Sequence, residues 1–326
     1  MGEVTAIPWC HHTFNGWIGC MKISPGCTNC YAAVDTAARV SRAQGLELWG
    51  INAARRITTR DYWKKPLRWN RDAAAAGERR RVFTASLSDV FEDRTGNVHD
   101  HKGNVLWVNG DGEIISGGET TPQLSRKERT ATLDDVRERL RWTIFQTTNL
   151  DWLVLTKRPE FAREWIAGHL WPTENVWLGV SVEDRKHGLP RIDVLRSIPA
   201  RVRFLSVEPL LEDIGPIDLT GIHWVIVGGE SGPKARPFNL AWAQSIVGQC
   251  KAAGVACFVK QLGAYAVDNV SDASGWRADR LGEWPAETRI SQRLPGEPWH
   301  RIHLIDHAGA DPSEWPCDLR VREFPC

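Results

Sequence analysis

Apolar residues along this chain gather in short, nearly continuous runs. The clearest are RVFTASL (81–87), DWLVLT (151–156), NVWLGVSV (175–182), VRFLSVE (202–208), HWVIVGG (223–229) and VACFVKQ (255–261). They are rich in Val, Ile, Leu and Trp, with little alternation, as expected of strands buried on both faces of a parallel sheet. Between them the apolar positions recur at helical spacing. Helices are predicted over 28–43, 131–147, 159–168, 184–197 and 239–253; Pro159 suits a first helical turn, Asn239 a cap and Gly254 a stop. With a first strand near 13–19, the alternation amounts to about seven βα units. The expected fold is α/β, a full or partial TIM-type (β/α) barrel of parallel strands, with a doubly wound open sheet as the competing architecture.

Two segments interrupt the alternation. Residues 92–130 are polar and rich in Gly, Asn and Asp, and NVLWVNGDGEIIS predicts a β-hairpin turning at Asn109-Gly110-Asp111-Gly112. They read as an insertion in a barrel domain spanning 1–264. Residues 265–326 read as an irregular C-terminal extension packed on it. No internal repeat of solenoid spacing is present.

Composition narrows the setting. The chain has 326 residues and a formal net charge of +1, so nothing global draws it to nucleic acid. There is no apolar stretch of membrane-spanning length and no leader-like start, which points to a cytoplasmic protein (host cytoplasm if phage-encoded) with no membrane partner. Eight cysteines are too few for a disulfide scaffold in a chain of this length. Three of them cluster in GCMKISPGCTNCYA (19–32): Cys20, Cys27 and Cys30, spaced C-x6-C-x2-C. Ser24-Pro25-Gly26 forces a turn between the first two. Cys30 is expected in the first turn of the 28–43 helix, where a helix N-terminus favours anionic sulfur. Three thiolates are one too few for a closed tetrahedral site. The set suits a [4Fe–4S] cluster with one open iron, a zinc site completed by His11, His12 or Cys10, or no metal at all.

Polar residues close each later strand: Ser86, Ser88 and Asp89; Lys157 and Arg158; Ser181 and Glu183; Ser206 and Glu208; Gly228, Gly229, Glu230 and Ser231; Lys260 and Gln261. In a parallel sheet such ends share one face, where barrel active sites are built. Glu183, Glu208 and Glu230 suit amino or hydroxyl groups; Lys157, Arg158 and Lys260 suit a carboxylate or phosphate. Each carboxylate equally suits a helix cap. Lys157, Glu208 and Lys260 are the candidate catalytic groups. Residues 55–81 carry ten Lys or Arg against three acids, with aromatics interleaved. Arg60, Trp63, Lys64, Lys65, Arg68 and Trp69 are the candidates for gripping phosphates and stacking on bases. A solvated helical face with its aromatics turned inward is the competing reading.

The cysteine segment resembles the cluster loop of radical SAM enzymes, whose commonest spacing, C-x3-C-x2-C, has a shorter first gap. The chain also resembles an uncharacterised family of phage and bacterial three-cysteine proteins through GWIGCMKISPGCTNCYA, RVFTASLSDVFED, LTKRPE, VWLGVSVED, LSVEPLLEDI, WVIVGGESG and DPSEWPCDLRVREFP; the 92–130 insertion lies outside these stretches. The resemblance implies an enzyme that binds [4Fe–4S] on Cys20, Cys27 and Cys30 and cleaves S-adenosylmethionine (SAM). It implies SAM contacts among Ser86, Ser88, Asp89, Ser181, Glu183, Gly228, Gly229 and Glu230, and an electron donor such as flavodoxin or ferredoxin. The expected substrate is DNA, RNA or a nucleotide, modified or repaired. The alternative function is a non-catalytic zinc or iron–sulfur protein that binds nucleic acid.

Overall fold

The structure is a computed structural model and describes residues 5–94, 96–116, 129–268, 289–290 and 299–325. Seven strands form its main sheet: β1 (His12–Phe14), β2 (Arg80–Thr84), β3 (Leu150–Thr156), β4 (Val176–Ser181), β5 (Val202–Val207), β6 (Trp224–Gly228) and β7 (Ala256–Gln261). They lie side by side in chain order. Register is parallel: Phe14 faces Thr84, Thr84 faces Val154, and Ser206 faces Ile226. A register shift after Val227 sets Gly228 opposite Gln261. The full (β/α)8 ring expected as one form of the fold is not built: β1 and β7 end the order, and the seven-stranded parallel sheet is a half-barrel.

Each parallel step needs a long crossover, and helices lie in all of them but the β5-to-β6 connection, residues 208–223, where the described residues hold no helix. The helices are α1 (Thr36–Ala43), α2 (Lys65–Ala76), α3 (Leu133–Phe145), α4 (Pro159–Gly168), α5 (Leu189–Arg196) and α6 (Leu240–Ala253). Local chemistry sets their ends. Asp135 accepts from the Thr132 N–H at 2.8 Å to start α3, and Asn239 Oδ1 accepts from Ala241 N at 3.0 Å to start α6. Gly254 ends α6 in the left-handed region at φ 67°.

Two expectations near the N-terminus are corrected. The strand near 13–19 is two: β1, then Trp17–Ile18, which pairs antiparallel with Arg55–Ile57 in a separate three-stranded sheet. Gly19, at φ 116°, follows that second strand. The 28–43 helix is only α1, because Asp35 caps it by accepting from Ala37 N at 2.9 Å. Cys30 instead precedes a 3-10 turn at Tyr31–Ala33 with a non-helical ψ of 117°, so it does not lie in the first turn of an α-helix.

The hairpin expected in the insertion is present, with Leu106–Val108 antiparallel to Ile114–Ser116. The C-terminal region is less irregular than its sequence suggests. Ala266–Asp268, His300–His303, Arg289–Ile290 and Phe238–Asn239 form a four-stranded sheet. Residues 269–288 and 291–298 of the expected extension lie outside the described residues.

By compactness the chain divides into two units: Met1–Ile23, Cys30–Leu178 and Pro199–Arg201, then Ser24–Asn29, Gly179–Ile198 and Val202–Cys326. In the first, Trp152 and Phe14 are fully buried and meet edge to face. In the second, Gly179 of β4 is required by packing: a Cβ there would stand 2.4 Å from the Phe204 ring, which is itself fully buried. Gly179→Ala is expected to lower stability by about 1–3 kcal/mol, the range for overfilling a packed core. A urea midpoint equal to that of the parent protein would contradict it. No helix among the described residues is long and apolar enough to cross a membrane.

Candidate functional site

In the first unit the site begins with Cys20, which follows the Trp17–Ile18 strand. Its N–H donates to Leu48 O at 3.2 Å. Arg158, just beyond β3, places Nη1 and Nη2 at 3.8 and 3.9 Å from Cys20 Sγ and donates to Met21 O at 2.8 Å. The same guanidinium pairs with Asp89 at 2.7 Å. Asp89 also accepts from the Thr156 hydroxyl at 2.7 Å and from the backbone N–H groups of Lys157 at 3.1 Å and Phe91 at 3.0 Å. Burial alone would raise the Asp89 carboxyl; Arg158 and these donors outweigh it and hold it below the ordinary carboxylate range. The Cys20 thiol is pushed up to about 12 by burial, with the Asp89 charge adding to the rise and Arg158 opposing it.

A second buried pair backs the first. Arg55 and Glu92 are both fully buried, 2.6 Å apart, and Glu92 also accepts from Met21 N at 2.9 Å. Arg55 satisfies its remaining donors on the carbonyls of Gly50, Ala53, Ala54 and Leu48. Cys30 packs beside Ile18, Ala32, Leu48 and Leu87. At the end of β2 the Ser86 hydroxyl bonds Asn15, and the Ser88 hydroxyl is buried with no hydrogen bond among the described residues. Ala85 between strand and loop sits at φ 62°, costly for a residue with a Cβ and typical of backbone held in place at a site.

In the second unit lies the middle of the cysteine loop, Ser24–Asn29, with Cys27 at the end of a single 3-10 turn. The Ser24 hydroxyl donates to Glu183 Oε1. Glu183 is fully buried and pairs with Arg191 at 2.6 Å; the same Arg191 donates to Ser181 O at 2.7 Å. Asn29 donates to Glu230 at 3.0 Å, and Arg236 both pairs with Glu230 and donates to Pro25 O at 3.0 Å. Burial opposes it, but the Arg236 and Asn29 hydrogen bonds hold the Glu230 carboxyl low. Glu208 pairs with Lys260, and Gly228 lets Glu208 approach: a Cβ on Gly228 would lie 3.3 Å from its Cδ. Gly229 is packed under Phe238 and bonds Gln261.

The basic stretch is placed differently from its expected role. Trp63 is buried edge-on to Phe14, and Trp69 is buried flat on His12 at 4.3 Å. Neither presents a face on which a base could stack. Arg60, Lys64 and Arg68 remain exposed, Lys64 paired with Asp61 and Arg60 3.9 Å from Glu113; Lys65 is half-buried over Tyr62. The candidates for a fourth zinc ligand are engaged elsewhere: His11 Nδ1 accepts from Arg81 N at 2.9 Å, His12 stacks on Trp69, and Cys10 is buried. Among the described residues, no group of three or more His, Cys, Asp or Glu side chains is gathered as a metal site.

Sequence reasoning missed the arginines and the second acid that organise these groups: Arg55, Glu92, Arg191 and Arg236. Arg191 and Arg236 come shortly after the carboxylates they pair with, which is the spacing signal that could have found them. Arg55 and Glu92 are far apart in sequence and carried no such signal.

No curated protein matches the chain, and no solved structure matches it. A family model does, over residues 4–106 and 114–299. The match includes most of the expected insertion, leaving out only 107–113 at the hairpin, and it ends before DPSEWPCDLRVREFP. With so much of its length matched, the chain belongs to the family described as "Protein of unknown function (DUF5131)".

Proposed function

We propose that the chain is a radical SAM enzyme, with Cys20, Cys27 and Cys30 holding a [4Fe–4S] cluster and SAM as the second cofactor. The observation that carries this reading is the cysteine loop: three half-buried thiols outside any disulfide, on a segment tied down by side chains from strand ends. Cys250 and Cys257 show the contrast, being buried in α6 and β7 as small core residues. The donor set fits the cluster in kind, three thiols leaving one iron for an outside ligand. Cys20 gives up its proton on ligation, as metal-bound thiols do.

When bound, the two cofactors supply hydrogen abstraction from an unactivated carbon. The chain's own residues do the rest. Arg158 lies against Cys20 and keeps a cation beside that sulfur. The buried Ser88 hydroxyl is a donor held ready for an acceptor. Lys260, opposite Glu208, and Lys157, whose backbone N–H donates to Asp89, are the groups for an anionic substrate. A nucleic acid or nucleotide is the proposed substrate class. With Trp63 and Trp69 buried, Arg60, Lys64 and Arg68 would hold its phosphates by charge. A small flavodoxin or ferredoxin of the cytoplasm is the proposed electron donor.

The test is electron paramagnetic resonance on protein reconstituted without oxygen and reduced with dithionite. A reduced-cluster signal is expected, with a changed shape when SAM is added and no signal in Cys27→Ala. Zinc in place of iron, or iron retained by Cys27→Ala, would overturn the proposal.

A further inference from the structure

We infer that Glu230, the acid of the Gly-Gly-Glu stretch after β6, is a positioning residue for the segment that carries Cys27. The inference deepens the proposed function and rests on it for the role of Cys27.

The segment cannot hold its own shape. Its internal backbone hydrogen bonds are those of one 3-10 turn, Cys27 N to Ser24 O at 3.0 Å and Thr28 N to Pro25 O at 3.1 Å. Two carboxylates of the same unit add further fixed points. Ser24 is tied to Glu183, and Gly26 lies so close that a Cβ there would be 3.1 Å from Glu183 Cγ. At the other end Asn29 donates to Glu230 Oε2 at 3.0 Å and to Lys234 O at 2.8 Å.

Glu230 is engaged by this segment and by Arg236. Oε2 takes the Asn29 amide, the Arg236 backbone N–H at 2.9 Å and Arg236 Nε at 3.0 Å, while Oε1 takes Arg236 Nη2. Each carboxylate oxygen offers about two lone-pair positions, so the three donors on Oε2 fill it. An amino group could bind Oε2 only by displacing Asn29 or Arg236. Arg236 also reaches Pro25 O at 3.0 Å, so the Glu230–Arg236 pair grips the segment at two points, Asn29 and Pro25.

The experiment measures iodoacetamide labelling of Cys27 in reduced, metal-free full-length protein, by peptide mass spectrometry. Glu230→Gln and Asn29→Ala are each expected to speed labelling about tenfold, the effect of losing charge-assisted hydrogen bonds that close a local opening. Cys250 and Cys257 should stay unlabelled, showing that the fold is intact; if Glu230→Gln unfolds, Asn29→Ala decides. Unchanged Cys27 labelling in folded Asn29→Ala overturns the inference. So does loss of SAM binding in cluster-loaded Glu230→Gln with Cys27 still protected. Because the labelling uses metal-free protein, a wild type that forms no cluster defeats the proposed function and leaves this result standing.

Discussion

Glu92→Gln is expected to lower the free energy of unfolding by about 3–5 kcal/mol, the cost of breaking a buried ion pair from one side. Both partners are fully buried. The guanidinium of Arg55 would keep its carbonyl contacts to Leu48, Ala53, Ala54 and Gly50 but lose the only carboxylate bonded to it among the described residues. An uncompensated cation in a low-dielectric interior is what makes one-sided changes so costly. The other contacts at this position survive the change: an amide oxygen can still accept from Met21 N, and the backbone carbonyl that accepts from Arg137 is untouched. Urea unfolding followed by circular dichroism reads the change as a lower midpoint at constant slope. A loss below about 1 kcal/mol would mean that the pair contributes no more than an exposed one. Arg55→Met should cost at least as much, since it strands both the carboxylate and the carbonyls.

Arg158→Met is the second large effect, again about 3–5 kcal/mol at neutral pH. Here the pH dependence identifies the cause. Asp89 is held below its ordinary value in the folded protein, so it binds fewer protons folded than unfolded at moderately acid pH. Its contribution is therefore fully present above the ordinary carboxylate value of about 4 and is lost as pH falls through the folded value. The variant has already lost most of that contribution. The stability gap between parent and variant should be widest at neutral pH and narrow on acidification. Parallel urea titrations at both ends of this range check it. A gap that stays constant would assign the effect to lost packing of the side chain and not to its charge. Both proteins should also be compared for Cys20 labelling, since Arg158 is the guanidinium beside that sulfur.

The strands were legible because each is an unbroken apolar run between polar ends. Six runs read from hydrophobicity match β2–β7 to within a few residues. Helix α4 begins at Pro159 and α6 ends before Gly254, where proline and glycine act through local backbone preference alone. The 28–43 stretch failed because helical spacing continues through Tyr31 and Val34, while the Asp35 cap, a side-chain hydrogen bond, starts the helix later. Trp63 and Trp69 failed for a different reason. An aromatic among basic residues reads alike whether it faces a ligand or the core, and only the contacts with Phe14 and His12 decide it. The strand-end carboxylates were visible as acids; their partners were not, because pairing such as Asn29 with Glu230 depends on the fold.

The hairpin at Leu106–Val108 and Ile114–Ser116 has a consequence for where the chain tolerates changes in length. Its turn closes on itself, with Asn109 N donating to Glu113 O at 3.0 Å and Asn109 Oδ1 accepting from Asp111 and Glu113. Asp111, Gly112 and Glu113 are exposed, so added or deleted residues at the tip displace no core. The family model breaks at 107–113, across this turn. Residues can thus be added or removed at this tip at little structural cost.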